Sequence, residues 1–97
     1  MRVAIIGLGV VGLRRKIFID KNSFIKLTAI SDIKFKKKFF TRNKVNYYRN
    51  YNDLINSENL DAVFITLPNY LASKVTILCL KNNLHVFCEK PPAKSLR

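Results

Sequence analysis

Gly7, Gly9 and Gly12 enclose Leu8, Val10 and Val11 in the pattern G-x-G-x-x-G, and an acid, Asp32, follows about 20 residues later. Each position answers a separate physical need. A glycine at 7 permits a tight turn after a strand. A glycine at 9 leaves no side chain between the backbone and a pyrophosphate, and one at 12 lets a helix pack closely on that strand. The start of a helix at Val10 and Val11 offers unpaired N–H groups and a partial positive charge to phosphate oxygens. A carboxylate at Asp32 can accept hydrogen bonds from both hydroxyls of an adenosine ribose. The pattern therefore predicts a dinucleotide site at Gly7, Gly9, Val10, Val11, Gly12 and Asp32. The competing reading is a structural glycine turn with an incidental acid.

Asp32 also bears on which dinucleotide is bound. A carboxylate there repels a 2′-phosphate and favours NAD. Lys34, Lys36 and Lys37 follow closely and offer such a phosphate a partner, so NADP stays open. At the far end of the chain, Glu89 and Lys90 stand just after an apolar run, followed by Pro91. Charged residues at the carboxyl end of a buried parallel strand sit where open α/β sheets bind ligands.

These residues need elements to hold them. Arg2 to Leu8 is a β-branched apolar run and reads as a strand buried on both faces. From Val10 the period becomes helical, with Val10, Leu13, Ile17 and Phe18 on one face and Arg14, Arg15 and Lys16 largely off it; the helix fades near Asp20. Ile25 to Ile30, Asp61 to Thr66 and Leu84 to Cys88 read as further strands. Asn69 to Asn82 reads as a helix on Leu71, Val75 and Leu78, closed by Asn82-Asn83 in the left-handed conformation. Phe35, Phe39 and Phe40 have helical spacing among lysines, which predicts buried Phe and solvated Lys. Asn46 to Tyr51 holds a very short strand, and Asn52 is a candidate N-cap for a brief helix through Ser57. Alternating strands and helices at this spacing predict an α/β fold, a parallel sheet with flanking helices.

Ninety-seven residues, 48% of them apolar, make one domain with a real core. Apolar runs stop well short of the roughly 20 residues of a membrane span. Met1-Arg2 leads straight into strand-like sequence without a signal peptide, so the expectation is a cytoplasmic protein. Cys79 and Cys88 are too few for a disulfide framework or a metal site and read as buried structural thiols; no metal is expected. His85, the only histidine, falls inside the last strand and reads as structural. Eighteen Lys+Arg against 6 Asp+Glu give a formal charge of +12, which attracts phosphate-bearing ligands in general. An AT-rich coding sequence, rich in Lys, Asn, Ile and Phe, accounts for the same balance. The expectation is no nucleic-acid and no membrane partner, with a basic nucleic-acid-binding protein as the remote alternative.

Over nearly its whole length the sequence resembles the N-terminal domain of the glucose–fructose oxidoreductase/inositol dehydrogenase/rhizopine-catabolism (Gfo/Idh/MocA) family. The resemblance rests on the Gly7–Gly12 fingerprint, "SDI" at 31–33, "DAVFITLPNYL" at 61–71 and "NNLHVFCEKPPAKSL" at 83–96. It implies a three-layer Rossmann-type domain over residues 1–97, the NAD(P)-binding half of a two-domain oxidoreductase of sugars, cyclitols or nucleotide-linked sugars. It implies that Thr66, Pro68 and Asn69 pass over the cofactor near its nicotinamide half and that Glu89 contacts the nicotinamide ribose. Lys90 matches the catalytic lysine that holds the substrate hydroxyl and assists the proton, and Lys90-Pro91 is a candidate cis peptide. Ala72 stands where members often carry a histidine, and Asn83 replaces their usual glycine. The implied parent is a homo-oligomer whose C-terminal domain supplies the sugar pocket. A non-catalytic dinucleotide-binding module is the alternative.

Overall fold

The computed structural model describes residues 1–88; Glu89, Lys90 and the Lys90–Pro91 bond lie outside them. Six strands form one sheet in the order β3-β4-β2-β1-β5-β6. The strands are β1 (Arg2–Ile6), β2 (Lys26–Ser31), β3 (Phe39–Arg42), β4 (Val45–Tyr48), β5 (Ala62–Ile65) and β6 (His85–Cys88), and the helices are α1 (Val10–Asp20), α2 (Tyr51–Ser57) and α3 (Asn69–Lys81). All neighbours pair in parallel except β3, which runs antiparallel to β4 at the edge.

Alternation along β1 divides the core. Val3 and Ile5 pack with Leu27, Ile30, Ala62 and Ile19 of α1. Ala4 and Ile6 face the other way, into Leu54 and Ile55 of α2 and Ala72, Val75 and Cys79 of α3. Helices therefore cover both faces of a sheet whose central strands are apolar on both sides, which is the three-layer α/β arrangement the sequence predicts. The left-handed closure of α3 is also found: Asn83 has φ of 60°.

Four local expectations are corrected. Leu13, Ile17 and Phe18 do not form the buried face of α1; they are 48%, 56% and 50% exposed, while Gly12 and Ile19 turn inward. The close approach of Gly12 to the β1 end fixes the rotation of the helix, and the apolar side chains follow outward. Residues 34–43 form no helix. A loop leads into β3, which a two-residue turn joins to β4. Asn43 and Lys44 both have positive φ, 52° and 66°, the signature of a type I′ hairpin turn. Cross-strand aromatic packing outweighs the helical spacing: Phe40 stacks on Tyr47 at 4.6 Å, and Phe35 meets both edge-on. Phe39 stays half exposed. The cap of α2 is Asn50 rather than Asn52, its side chain accepting from the Asn52 N–H at 2.8 Å. Cys79 is buried, and burial pushes its thiol up to about 11, but Cys88 is exposed.

At the hairpin's inner flank, Tyr48 donates to the Glu58 carboxylate at 2.5 Å and Asn46 Nδ2 donates to the same oxygen at 2.8 Å. Burial, and then that carboxylate, push the Tyr48 hydroxyl up to about 12. The bond ties the end of α2 to β4. His85 lies in β6 with its side chain exposed.

Candidate functional site

Backbone bonds bring the ends of four parallel strands to one edge. The Gly7 N–H donates to the Ser31 carbonyl at 2.8 Å, the Thr66 N–H to that of Ile6 at 3.0 Å, and the Asp32 N–H to that of Tyr48 at 3.1 Å. The residues that follow β1, β2 and β5 thus lie side by side. The chain leaves β1 for β2 on one side and later enters β5 on the other. The carboxyl end of β1 is therefore the point at which the order of connection reverses, where open α/β sheets form a ligand crevice.

The three glycines are not equivalent. Gly7 has φ of 96°, and a Cβ there would lie 2.8 Å from the Thr66 carbonyl oxygen. A Cβ on Gly12 would run into the Gly7 carbonyl oxygen and lie 3.2 Å from the Thr66 hydroxyl. The fold itself requires both. A Cβ on Gly9 would meet no protein atom within 4 Å, so what glycine preserves there is room for something that approaches the backbone from outside. Gly9 is exposed and is the N-cap of α1, without a side-chain cap and with no acid in the first turn. The N–H groups of the turn that opens with Val10, Val11 and Gly12 thus remain available to an external anion.

Asp32 joins that turn to the loop after β2. One carboxylate oxygen accepts the Leu8 N–H at 2.9 Å and the other accepts the Lys34 N–H at 2.8 Å. Each oxygen keeps a second lone pair for a ribose hydroxyl, so the residues fit an adenosine ribose set beside a pyrophosphate. The Thr66 hydroxyl donates to the Gly7 carbonyl and, at 3.3 Å, to that of Ile6; it braces the glycine turn from below. Pro68 precedes α3, its carbonyl accepting from Leu71 and Ala72, and Asn69 is the helix's first residue.

Gly7, Gly9, Val10, Val11, Gly12, Asp32 and Thr66 are thus collected at one edge, with Pro68 on the loop that follows Thr66 and Asn69 opening α3 directly after it. Sequence reasoning did not single out a second feature of this edge, a cavity of about 370 Å³ lined by Ile33, Arg49, Asn50, Tyr51 and Asn52. Its signal was a large apolar residue, Ile33, that stands 79% exposed directly after the acid. Among the described residues no group of three His, Cys, Asp or Glu is placed to hold a metal ion, and no helix is long and apolar enough to cross a membrane.

The profile of the oxidoreductase family with an NAD-binding Rossmann fold, Gfo/Idh/MocA, matches residues 1–97. The chain belongs to that family. The resemblance read from the glycine fingerprint and the "CEKP" segment is borne out, as are the fold class and the NAD-binding character of the domain. Among curated Gfo/Idh/MocA-like proteins, myo-inositol 2-dehydrogenase of Thermotoga maritima is 33% identical over 99% of this chain and 30% of its own length. The scyllo-inositol dehydrogenase of Lactobacillus casei, solved with NAD(H) and scyllo-inositol, superposes with a TM-score of 0.80 at 27% identity, over 94% of this chain and 28% of that one. A 3-ketoreductase of Actinomadura kijaniata, solved with NADP and TDP-benzene, superposes with a TM-score of 0.79 at 26% identity, over 94% and 29%. The chain spans about 30% of the length of the curated relatives it matches first.

Proposed function

We infer that residues 1–97 form the dinucleotide-binding part of an oxidoreductase that moves a hydride between the nicotinamide of NAD and a carbinol carbon of a small sugar, cyclitol or nucleotide-linked sugar. The observation that carries this reading is Gly9. It is the one glycine of the fingerprint that the fold does not need, and it caps a helix whose first N–H groups have no side-chain partner.

The bound nicotinamide would supply the hydride acceptor or donor. The chain's own residues do the rest of the positioning. The turn from Gly9 to Gly12 presents N–H donors to the pyrophosphate. Asp32 accepts from the adenosine ribose while holding the turn through Leu8. Ile33 and Arg49 give the adenine an apolar surface and a cation to stack on. Beyond the described residues, Glu89 would meet the nicotinamide ribose, and Lys90 would hold the substrate hydroxyl and take or return its proton. A positive charge there stabilises the alkoxide that develops as the carbinol is oxidised. The substrate class rests on the inositol dehydrogenases that the chain resembles.

Fluorescence titration with NADH tests the reading. Saturable binding is expected, and Gly9→Val should weaken it by at least about a hundredfold, because the new side chain fills the pyrophosphate's approach without touching the fold. Circular dichroism and the urea midpoint of the variant should stay unchanged. A folded wild-type chain that shows no NADH binding would sink the proposal.

A further inference from the structure

Glu58 belongs to none of the sequence motifs and lies apart from the glycine turn, yet its half-buried carboxylate is built into the structure. One of its oxygens accepts from two donors at once, the Tyr48 hydroxyl at 2.5 Å and Asn46 Nδ2 at 2.8 Å. The side-chain oxygen of Asn46 accepts in turn from the Thr41 hydroxyl at 2.8 Å. The network thus runs from β3 through β4 to the residue that caps the end of α2. Its central member, Tyr48, is 6% exposed and belongs to the same core cluster as Leu54 and Ile55. With its pKa pushed up to about 12, the Tyr48 hydroxyl keeps its proton and remains a donor.

The bond from Tyr48 to Glu58 closes a loop of chain. Inside that loop lie Arg49, Asn50, Tyr51 and Asn52, four of the five residues that line the cavity of about 370 Å³; the fifth, Ile33, directly follows Asp32. The backbone carbonyl of Tyr48 also accepts the Asp32 N–H at 3.1 Å, so one residue holds both the cavity wall and the acid. Arg49 steadies the far side, its guanidinium donating to the Lys36 carbonyl and its backbone N–H to the Lys38 carbonyl, each at 3.0 Å. We propose that Glu58 is a positioning residue for the adenosine half of the cofactor: without meeting the ligand, it fixes Asp32 and the cavity wall through Tyr48. The inference rests on the dinucleotide reading of the same edge. A loop already held in place loses little further freedom when adenosine arrives, and affinity gains by that difference. Reach matters more than charge here, because what the clamp needs is one acceptor oxygen placed between two donors.

The test is a set of titrations on the purified full-length chain with NADH and with 5′-AMP, which probes the adenosine half alone. Tyr48→Phe removes one hydroxyl and leaves the ring in the core. Folded by circular dichroism, it should bind both ligands at least about fivefold more weakly. Glu58→Asp keeps the charge but draws the acceptor back by one carbon, and should lose at least about threefold. Glu58→Gln loses the charge but keeps an acceptor at the same reach, and should stay within about twofold of the wild type. Added to Asp32→Asn, Tyr48→Phe should cost only about twofold more, the part carried by the cavity wall. If the folded Tyr48→Phe and Glu58→Asp chains bind 5′-AMP as the wild type does, the network only holds the hairpin, and this inference alone falls. It falls equally if Glu58→Asp retains affinity while Glu58→Gln loses it, or if the Tyr48→Phe loss is the same with and without Asp32. If neither NADH nor 5′-AMP binds the folded wild-type chain, the dinucleotide reading itself falls.

Discussion

Helix α3 turns Ala72, Val75 and Cys79 into the sheet, and all three are buried. Helix α1 has apolar residues of greater bulk, yet Leu13, Ile17 and Phe18 are about half exposed, and its inward positions are Gly12 and Ile19. The first helix is held by backbone approach and the second by side-chain burial. The difference follows from what each must position. Helix α1 has to bring its first N–H groups to the end of β1, and only a glycine at 12 lets the helix come that close to the Gly7 carbonyl. Helix α3 has only to cover β5 and β6. The usual rule, in which the apolar stripe sets a helix's rotation, holds for α3 and gives way in α1 to the geometry of the turn.

The largest break in that comparison should come from Gly12→Val. Its side chain has no room against the Gly7 carbonyl and the Thr66 hydroxyl, and neither can yield without displacing β1 or β5. The expected loss is at least about 3 kcal/mol in urea unfolding, enough to take much of the stability of a domain this size. A Gly12→Val variant that melts with the wild type would show that α1 can slide outward, and its placement by backbone contact would be wrong.

What could be read from the residues follows the same division. The elements whose stability comes from apolar runs were legible, because a buried strand such as Ala62–Ile65 leaves little choice of face. The glycine turn was legible too, since its spacing reflects backbone sterics that do not depend on the rest of the chain. The outward turn of Leu13 and Ile17 was not, because helical periodicity carries no information about a contact made by Gly12. The hairpin failed for another reason. Phe35, Phe39 and Phe40 satisfy a helical period by accident, and the pairing that decides the matter, Phe40 on Tyr47, joins residues whose strand partnership no local pattern announces. The type I′ turn was hidden because Asn43 is followed by Lys44 rather than the glycine that normally marks it. At the site, the bond from Leu8 to Asp32 crosses 24 residues and could not be inferred from spacing. It makes the acid a support for the glycine turn as well as the ribose acceptor we propose.

A smaller effect sharpens the contrast by reversing expectation from size. Val75 is the lesser side chain but is wholly buried among Ala4, Ile6, Val63 and Ile65 of the sheet. Val75→Ala should cost about 2 kcal/mol, the removed methyl groups leaving space that the central strands cannot close. Ile17 is larger and sits inside α1, yet Ile17→Ala should change the unfolding free energy in urea by less than about 0.5 kcal/mol. It removes a side chain already 56% exposed and installs the best helix former in its place. If the Ile17 variant proves as costly as the Val75 one, α1 is held by its apolar stripe after all. The rotation that brings Gly12 to Gly7 would then be a consequence of side-chain packing rather than its cause.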